Sequence, residues 1–225
     1  MPATAAYNTL ISTSSRTDRQ VPAMIVRHWM TTKVVTTTKE ASIQDALKLM
    51  KRHSIRHLPV VEANGTLVGW VTDADLRSVL IASMLEELSV EDVMVRRPIT
   101  VSAEDSLERA AQLALENRIG GLPVVDGQKL VGVITVVDML SAFISMLGLM
   151  QSSSRLDVRL VSPQQSLDSV TRLLQDKGAE IISVCHVKPT EAHEAVYSFR
   201  LKKCSMEPIL GSLKEEGIEV VSAEM

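Results

Sequence analysis

Two short segments carry residue types suited to binding: Thr72-x-x-Asp75 and Thr135-x-x-Asp138. Each falls where an apolar strand gives way to a helix. A hydroxyl at a helix start can hold a phosphate together with free backbone N–H groups. A carboxylate one turn further on can accept from both hydroxyls of a ribose, so the pair suits a nucleotide. The same spacing is also a capping box, in which Thr accepts from the backbone and the acid answers the helix dipole. One occurrence fits capping alone; two, each after a Gly-containing strand, favour a ligand. Arg56, His57 and Arg77 lie near the first segment, and Arg118, Gly120 and Gly121 near the second. Arg forks onto phosphate through charge-assisted hydrogen bonds. The first site, or a shared central cleft beside it, is therefore expected to hold the phosphates, with solvated surface cations as the alternative.

The elements that position these residues occur twice. Met30, Thr36, Glu40, Ser42, Ala46 and Leu49 return 64 positions later as Met94, Thr100, Glu104, Ser106, Ala110 and Leu113. Ile55-Arg56-His57-Leu58-Pro59-Val60-Val61 returns as Ile119-Gly120-Gly121-Leu122-Pro123-Val124-Val125, and Gly69 to Asp75 as Gly132 to Asp138. Such self-similarity means one supersecondary unit used twice. Ser42 and Ser106 read as N-caps ahead of Ile43, Ala46, Leu47 and Met50, and of Leu107, Ala110, Ala111 and Ala114, both at helical spacing. Asn64-Gly65 and Asp126-Gly127 turn hairpins. Each unit is thus β-α-β-β-α, with closing helices over about 72–85 and 135–148. The second closing helix is apolar on nearly every side, which implies burial against a domain or subunit. Gln151 to Ser154 reads as a linker. Beyond it the pattern is β-α-β-β-α-β, a ferredoxin-like split unit with strands over 156–161, 180–187, 195–201 and 218–222.

The doubled Leu-Pro-Val-Val strand, Gly-hairpin strand and Thr-x-x-Asp helix resemble a tandem pair of CBS domains, the Bateman module, over about residues 25–145. That resemblance implies adenosine compounds (AMP, ADP, ATP, S-adenosylmethionine or NAD) bound in clefts between the repeats. Asp75 and Asp138 would hold ribose hydroxyls, and Thr72 and Thr135 the phosphate or nearby sugar oxygens. Backbone around Thr36, His57-Leu58-Pro59, Thr100 and Gly121-Leu122-Pro123 would line the adenine. The last unit resembles an ACT domain, and the whole order is similar to the bacterial acetoin-utilisation B-type family. Amino-acid-binding ACT domains usually carry Pro-Gly after the first strand. This chain has Ser162-Pro163-Gln164-Gln165-Ser166, without the glycine that lets a ligand approach backbone closely.

The expected architecture is therefore α/β (α+β): a tail over 1–24, CBS repeats over 25–86 and 87–150, and an ACT-like domain over 155–225. Residues 1–23 lack the long apolar run of a secretory signal and read as a disordered tail or an upstream start. A net charge of -3 with no basic run gives no nucleic-acid surface. Leu130 to Met150 is long and apolar, but Gly132, Thr135 and Asp138 split it into strand and helix, so no membrane span is expected. Cys185 and Cys204 have no metal-type spacing, and strand alternation sets Cys185 and His186 on opposite faces, away from a site with His193. His53 and His57 share no helix. No nucleophile–base pair or paired carboxylates stand out. The expectation is a cytoplasmic, homodimeric, non-enzymatic regulator needing no cofactor, with an adenine nucleotide as ligand and an unidentified partner protein. A ligand-free scaffold, an amino-acid sensor acting through the last domain, and an enzyme acting on a nucleotide or acetylated small molecule are the alternatives.

Overall fold

The computed structural model describes residues 24–85, 87–162, 165–187 and 196–224. The tail over 1–23, Pro163-Gln164, His193 and Ala195 lie outside the described residues. Ser42 accepts from the Asp45 N–H at 3.1 Å and starts α1 (Ile43–His53), which buries Ile43, Ala46 and Met50 along one face. Strands β1 (His57–Val61) and β2 (Leu67–Thr72) pair antiparallel, and Thr72 then caps α2 (Asp73–Ser78). A separate short helix, α3 (Ala82–Leu85), follows. The single helix expected over 72–85 is thus broken. Leu80 N–H turns back to Arg77 O at 3.3 Å, within a run of Ser78, Val79 and Ile81 that favours helix weakly. The second repeat contains α4 (Val90–Val93), β3 (Val101–Ser102), α5 (Leu107–Glu116), β4 (Gly121–Asp126), β5 (Lys129–Thr135) and α6 (Val136–Met146). β3 runs parallel to β4, whereas its counterpart in the first repeat is one bridge from Thr37 to Val60.

The lead-in segments are exchanged between the repeats. Val26, in a 3₁₀ turn over Val26–His28, is buried with Leu107, Leu122 and Ile134 of the second repeat. Its N–H bonds to Asp105 O at 2.9 Å. Val90 is buried with Ile43, Leu58 and Val71 of the first, and its N–H bonds to Ala41 O at 2.8 Å. Met30 and Met94 cross in the same way, over Gly132 and Gly69. A Cβ at those glycines would stand 2.6 and 2.3 Å from the sulfur atoms. A division of the chain at 86/87 follows the sequence, but each repeat supplies part of the other's core. The hairpin tips are joined too, through Leu67 N–H to Gln128 O and Leu130 N–H to Gly65 O.

Past α6 the chain forms β6 (Ser153–Arg159), α7 (Leu167–Asp176), β7 (Ile181–Val187), β8 (Val196–Lys202), α8 (Glu207–Glu215) and β9 (Glu219–Glu224). The sheet is antiparallel in the order β7-β8-β6-β9. Leu156, Val158, Phe199 and Leu201 on it meet Val170, Leu174, Ile209 and Leu213 from the helices. Ser153 and Ser154 belong to β6, so the polar break before this unit is shorter than the four residues expected. Helix α6 is less enclosed than its apolar sequence implies: Met139 and Ala142 are buried, but Val137 and Leu140 are 62% and 55% exposed. Its far end meets the last unit. Ser183 Oγ donates to Leu147 O at 3.0 Å, and Gly148 packs on Ile182. No helix among the described residues is long and apolar enough to cross a membrane.

Candidate functional site

Both Thr-x-x-Asp segments form capping boxes. Thr72 N and Oγ1 donate to Asp75 Oδ2 at 2.9 and 2.7 Å, and Asp75 N donates to Thr72 Oγ1 at 3.2 Å. The second box repeats this at 2.8, 2.6 and 3.3 Å. Within each box the carboxylate accepts through Oδ2, which leaves Oδ1 to an outside donor. The first helical N–H is satisfied as well, by Arg56 O for Asp73 and by Gly120 O for Val136. A helix start leaves several N–H groups without intrahelical partners. At α6 the bonds from Val136 and Asp138 leave the Val137 N–H for a ligand. Capping and binding are therefore compatible in this geometry.

A cavity of about 250 Å³ lies where the two repeats meet. The first repeat contributes Lys33, Val34 and Val35 from its extended lead-in, and Ser54 to His57 from the turn between α1 and β1. The second contributes Gly120, Val133, Thr135 and Val137. The candidate site thus couples Arg56 and His57 to Thr135, across the repeats. From the sequence these residues are expected at the first site or at a shared central cleft beside it; they border this shared cavity while Arg56 O still accepts from the Asp73 N–H next to Thr72. The crossing of the chain adds Lys33, Val34 and Val35 of the first lead-in to the same wall. Arg77 is not part of the cavity; its Nε lies 2.6 Å from Asp73 Oδ2, and that carboxylate holds its pKa above the ordinary value.

His57 stacks on Trp70, with ring centroids 5.6 Å apart and planes 29° apart. Burial, and then the positive charge of Arg56, hold its pKa below the ordinary 6.5, while Asp75 acts in the opposite direction. Desolvation disfavours the charged ring. Arg56 and Arg118 are exposed; Pro59, Gly121 and Pro123 are buried in β1 and β4; Thr36 is half-buried and Thr100 exposed. Thr36, Pro59, Thr72, Asp75, Thr100, Arg118, Gly121, Pro123 and Asp138 do not line the cavity wall. Asp138 is joined to it through Thr135. Lys33 was missed by the sequence argument, although its repeat partner is the cation Arg97. A larger groove of about 800 Å³ between α7 and α8 is lined by charges of both signs, including the exposed pair Asp168 and Arg172 at 2.7 Å. It has no helix start with a Thr-x-x-Asp pair, so the smaller cavity is the better candidate.

The family model for the CBS domain matches residues 26–82 and 90–145, one match in each repeat. This chain belongs to the CBS-domain family and carries a tandem pair of its modules. It is 36% identical over 115 residues to the CBS domain-containing protein YhcV of Bacillus subtilis, covering 51% of this chain and 81% of that protein. Among solved structures, the CBS domain pair of protein MJ0100, in complex with methylthioadenosine and S-adenosyl-L-methionine, matches at 30% identity and TM-score 0.51. CBSX2 in complex with AMP matches at 32% identity and TM-score 0.51. Each of these two covers 55% of this chain and 98% of the other. A Vibrio cholerae protein assigned to acetoin utilization (AcuB) matches at 33% identity and TM-score 0.52, covering 57% of this chain and 97% of that one.

Proposed function

We propose that this chain is a non-enzymatic regulatory protein whose CBS pair binds an adenosine-containing ligand in the cavity between the repeats. The observation that carries this is the meeting of Lys33, Arg56 and His57 with the Thr135-x-x-Asp138 helix start around one cavity. Asp138 Oδ1 and the Val137 N–H supply an acceptor for ribose hydroxyls and a donor for phosphate. The similar structures hold AMP, and methylthioadenosine with S-adenosyl-L-methionine, which narrows the class to adenosine compounds. The test is calorimetry with AMP, ADP, ATP, NAD and S-adenosylmethionine on wild type, Asp138→Ala and Arg56→Ala. Asp138→Ala should abolish binding, and Arg56→Ala should weaken the phosphate-bearing ligands most. A flat response to all five compounds by folded wild type would sink the proposal. The capping boxes favour a second reading, a ligand-free scaffold in which Asp75 and Asp138 only cap helices; that flat response would support it.

The last unit fits a ferredoxin-like, ACT-type domain in its β-α-β-β-α-β order and in two helices packed on one sheet. Its role here is structural. Gln165 Oε1 accepts from Val161 N and Ser162 N, while its Nε2 donates to Gly217 O at 2.9 Å. Gln165 is thereby tied to the α8–β9 turn. The exposed row Val136, Val137 and Leu140 supports a homodimer, and the free Cys185 and Cys204 fit a reducing cytoplasmic setting.

A further inference from the structure

Two related repeats should make two related clefts, and the register between them says what each contains. The counterpart of the described cavity is reached by replacing each lining residue with its partner. Thr135 becomes Thr72, His57 becomes Gly121, Gly120 becomes Arg56 and Val133 becomes Trp70. The second cleft would therefore lie between Gly120-Gly121 and the start of α2, with Asp75 in the place of Asp138. His57 reaches into that space. A Cβ built on Gly120 would stand 3.1 Å from His57 Nε2, and one on Gly121 3.4 Å from Cγ, Nδ1 and Cε1. The imidazole stands over the side-chain side of both glycines and stacks on Trp70, itself buried. The charge of Asp75 reaches the same ring. Trp70 is far larger than Val133, so the second cleft is narrowed from its wall as well as filled from its floor.

We infer that His57, backed by Trp70, closes the Asp75 cleft from within, so that this CBS pair holds one nucleotide per chain, in the Asp138 cleft. The inference rests on the ligand class proposed above. The ring fits closely against Gly120, where a Cβ would crowd it at 3.1 and 3.2 Å, and a Cβ on Gly121 would stand at the edge of ordinary contact. The difference between Arg56-His57 and Gly120-Gly121 thus gives the clefts different roles, with the Arg56 cation at one and a plug in the other.

The experiment is calorimetric titration with AMP and with S-adenosylmethionine, each on folded full-length chain. Wild type and Asp75→Ala should bind one equivalent, and Asp138→Ala none. His57→Gly, which copies the residue at 121, should gain an equivalent that is lost in His57→Gly/Asp75→Ala and kept in His57→Gly/Asp138→Ala, whatever its effect on the Asp138 cavity, whose wall it also forms. His57→Ala stands in if the glycine variant fails to fold. Two equivalents on wild type would overturn the inference, as would the absence of any Asp75-dependent equivalent from both His57 variants. If wild type binds neither probe, the proposed function fails by itself. Binding gained in His57→Gly and lost with Asp75→Ala would still support the plug, and no binding in any variant would overturn both.

Discussion

Replacing Gly148 by alanine tests how firmly the repeat pair is joined to the last unit. Gly148 ends α6 at φ +70°, in the left-handed region where an L side chain costs about 1–2 kcal/mol. Its added Cβ would fall 2.4 Å from Ile182 Cγ2 and 3.4 Å from Ile182 Cβ. Ile182 is β-branched and stiff at χ1, so relief requires β7 to move away. Overpacking of this kind costs about 1–3 kcal/mol, for a total of about 2–5 kcal/mol. Gly178 is the matched control. It follows α7 at φ +76° with nothing within 4 Å, so Gly178→Ala carries the backbone cost alone. Urea unfolding gives the stability difference between the two variants, and hydrogen exchange locates it. Gly148→Ala should be the less stable by about 1–3 kcal/mol, with faster exchange in β7 and at the end of α6. Equal losses, with exchange in β7 unchanged, would refute the claim that this contact is tightly packed.

Two further outcomes follow from the core and from His57. Val26→Ala and Val90→Ala should each cost about 2 kcal/mol, from lost burial and the cavity left behind. Because the lead-ins are exchanged, hydrogen exchange should rise in α5 and β4 for the first and in α1 and β1 for the second; the reverse pattern would contradict the crossed packing. Since the folded pKa of His57 lies below the unfolded value, the unfolded chain takes up a proton that the folded chain refuses. Stability should therefore fall as pH drops from about 6.5 through the lower folded pKa. Arg56 strengthens this effect and Asp75 opposes it. His57→Gln should flatten that part of the urea-midpoint profile, and an unchanged slope would exclude His57 as the source.

What could be read from the sequence was local. Ser42, Ser106, Thr72 and Thr135 cap the helices they announce, because a cap needs a partner only three residues away. Gly65 and Gly127 sit at φ +85° and +60° in their hairpins, since turn chemistry is equally short-ranged. The crossing of the lead-ins was not legible. Val26 and Val90 look alike as apolar residues ahead of a repeat, and nothing near them says which core they enter. That non-local choice shapes the site, because it brings Lys33, Val34 and Val35 of the first lead-in to the wall shared with Gly120, Val133 and Thr135. The exposure of Val137 and Leu140 was missed for a related reason. An apolar helix calls for burial, but the sequence does not say how much of that burial one chain supplies.

The two Thr-x-x-Asp boxes agree bond by bond to about 0.1 Å. Their shared residues therefore report a shared cap and cannot by themselves tell an occupied cleft from a closed one. The distinction lies in the positions where the repeats differ: Arg56 against Gly120, His57 against Gly121 and Trp70 against Val133. Each of these changes side-chain volume or charge at a cleft wall while leaving the strand and helix that carry it in register. In a duplicated fold the common residues hold the frame, and the departures from symmetry assign the work. His57 is the departure that does most here, since one ring lines the open cavity and lies on the floor of its counterpart.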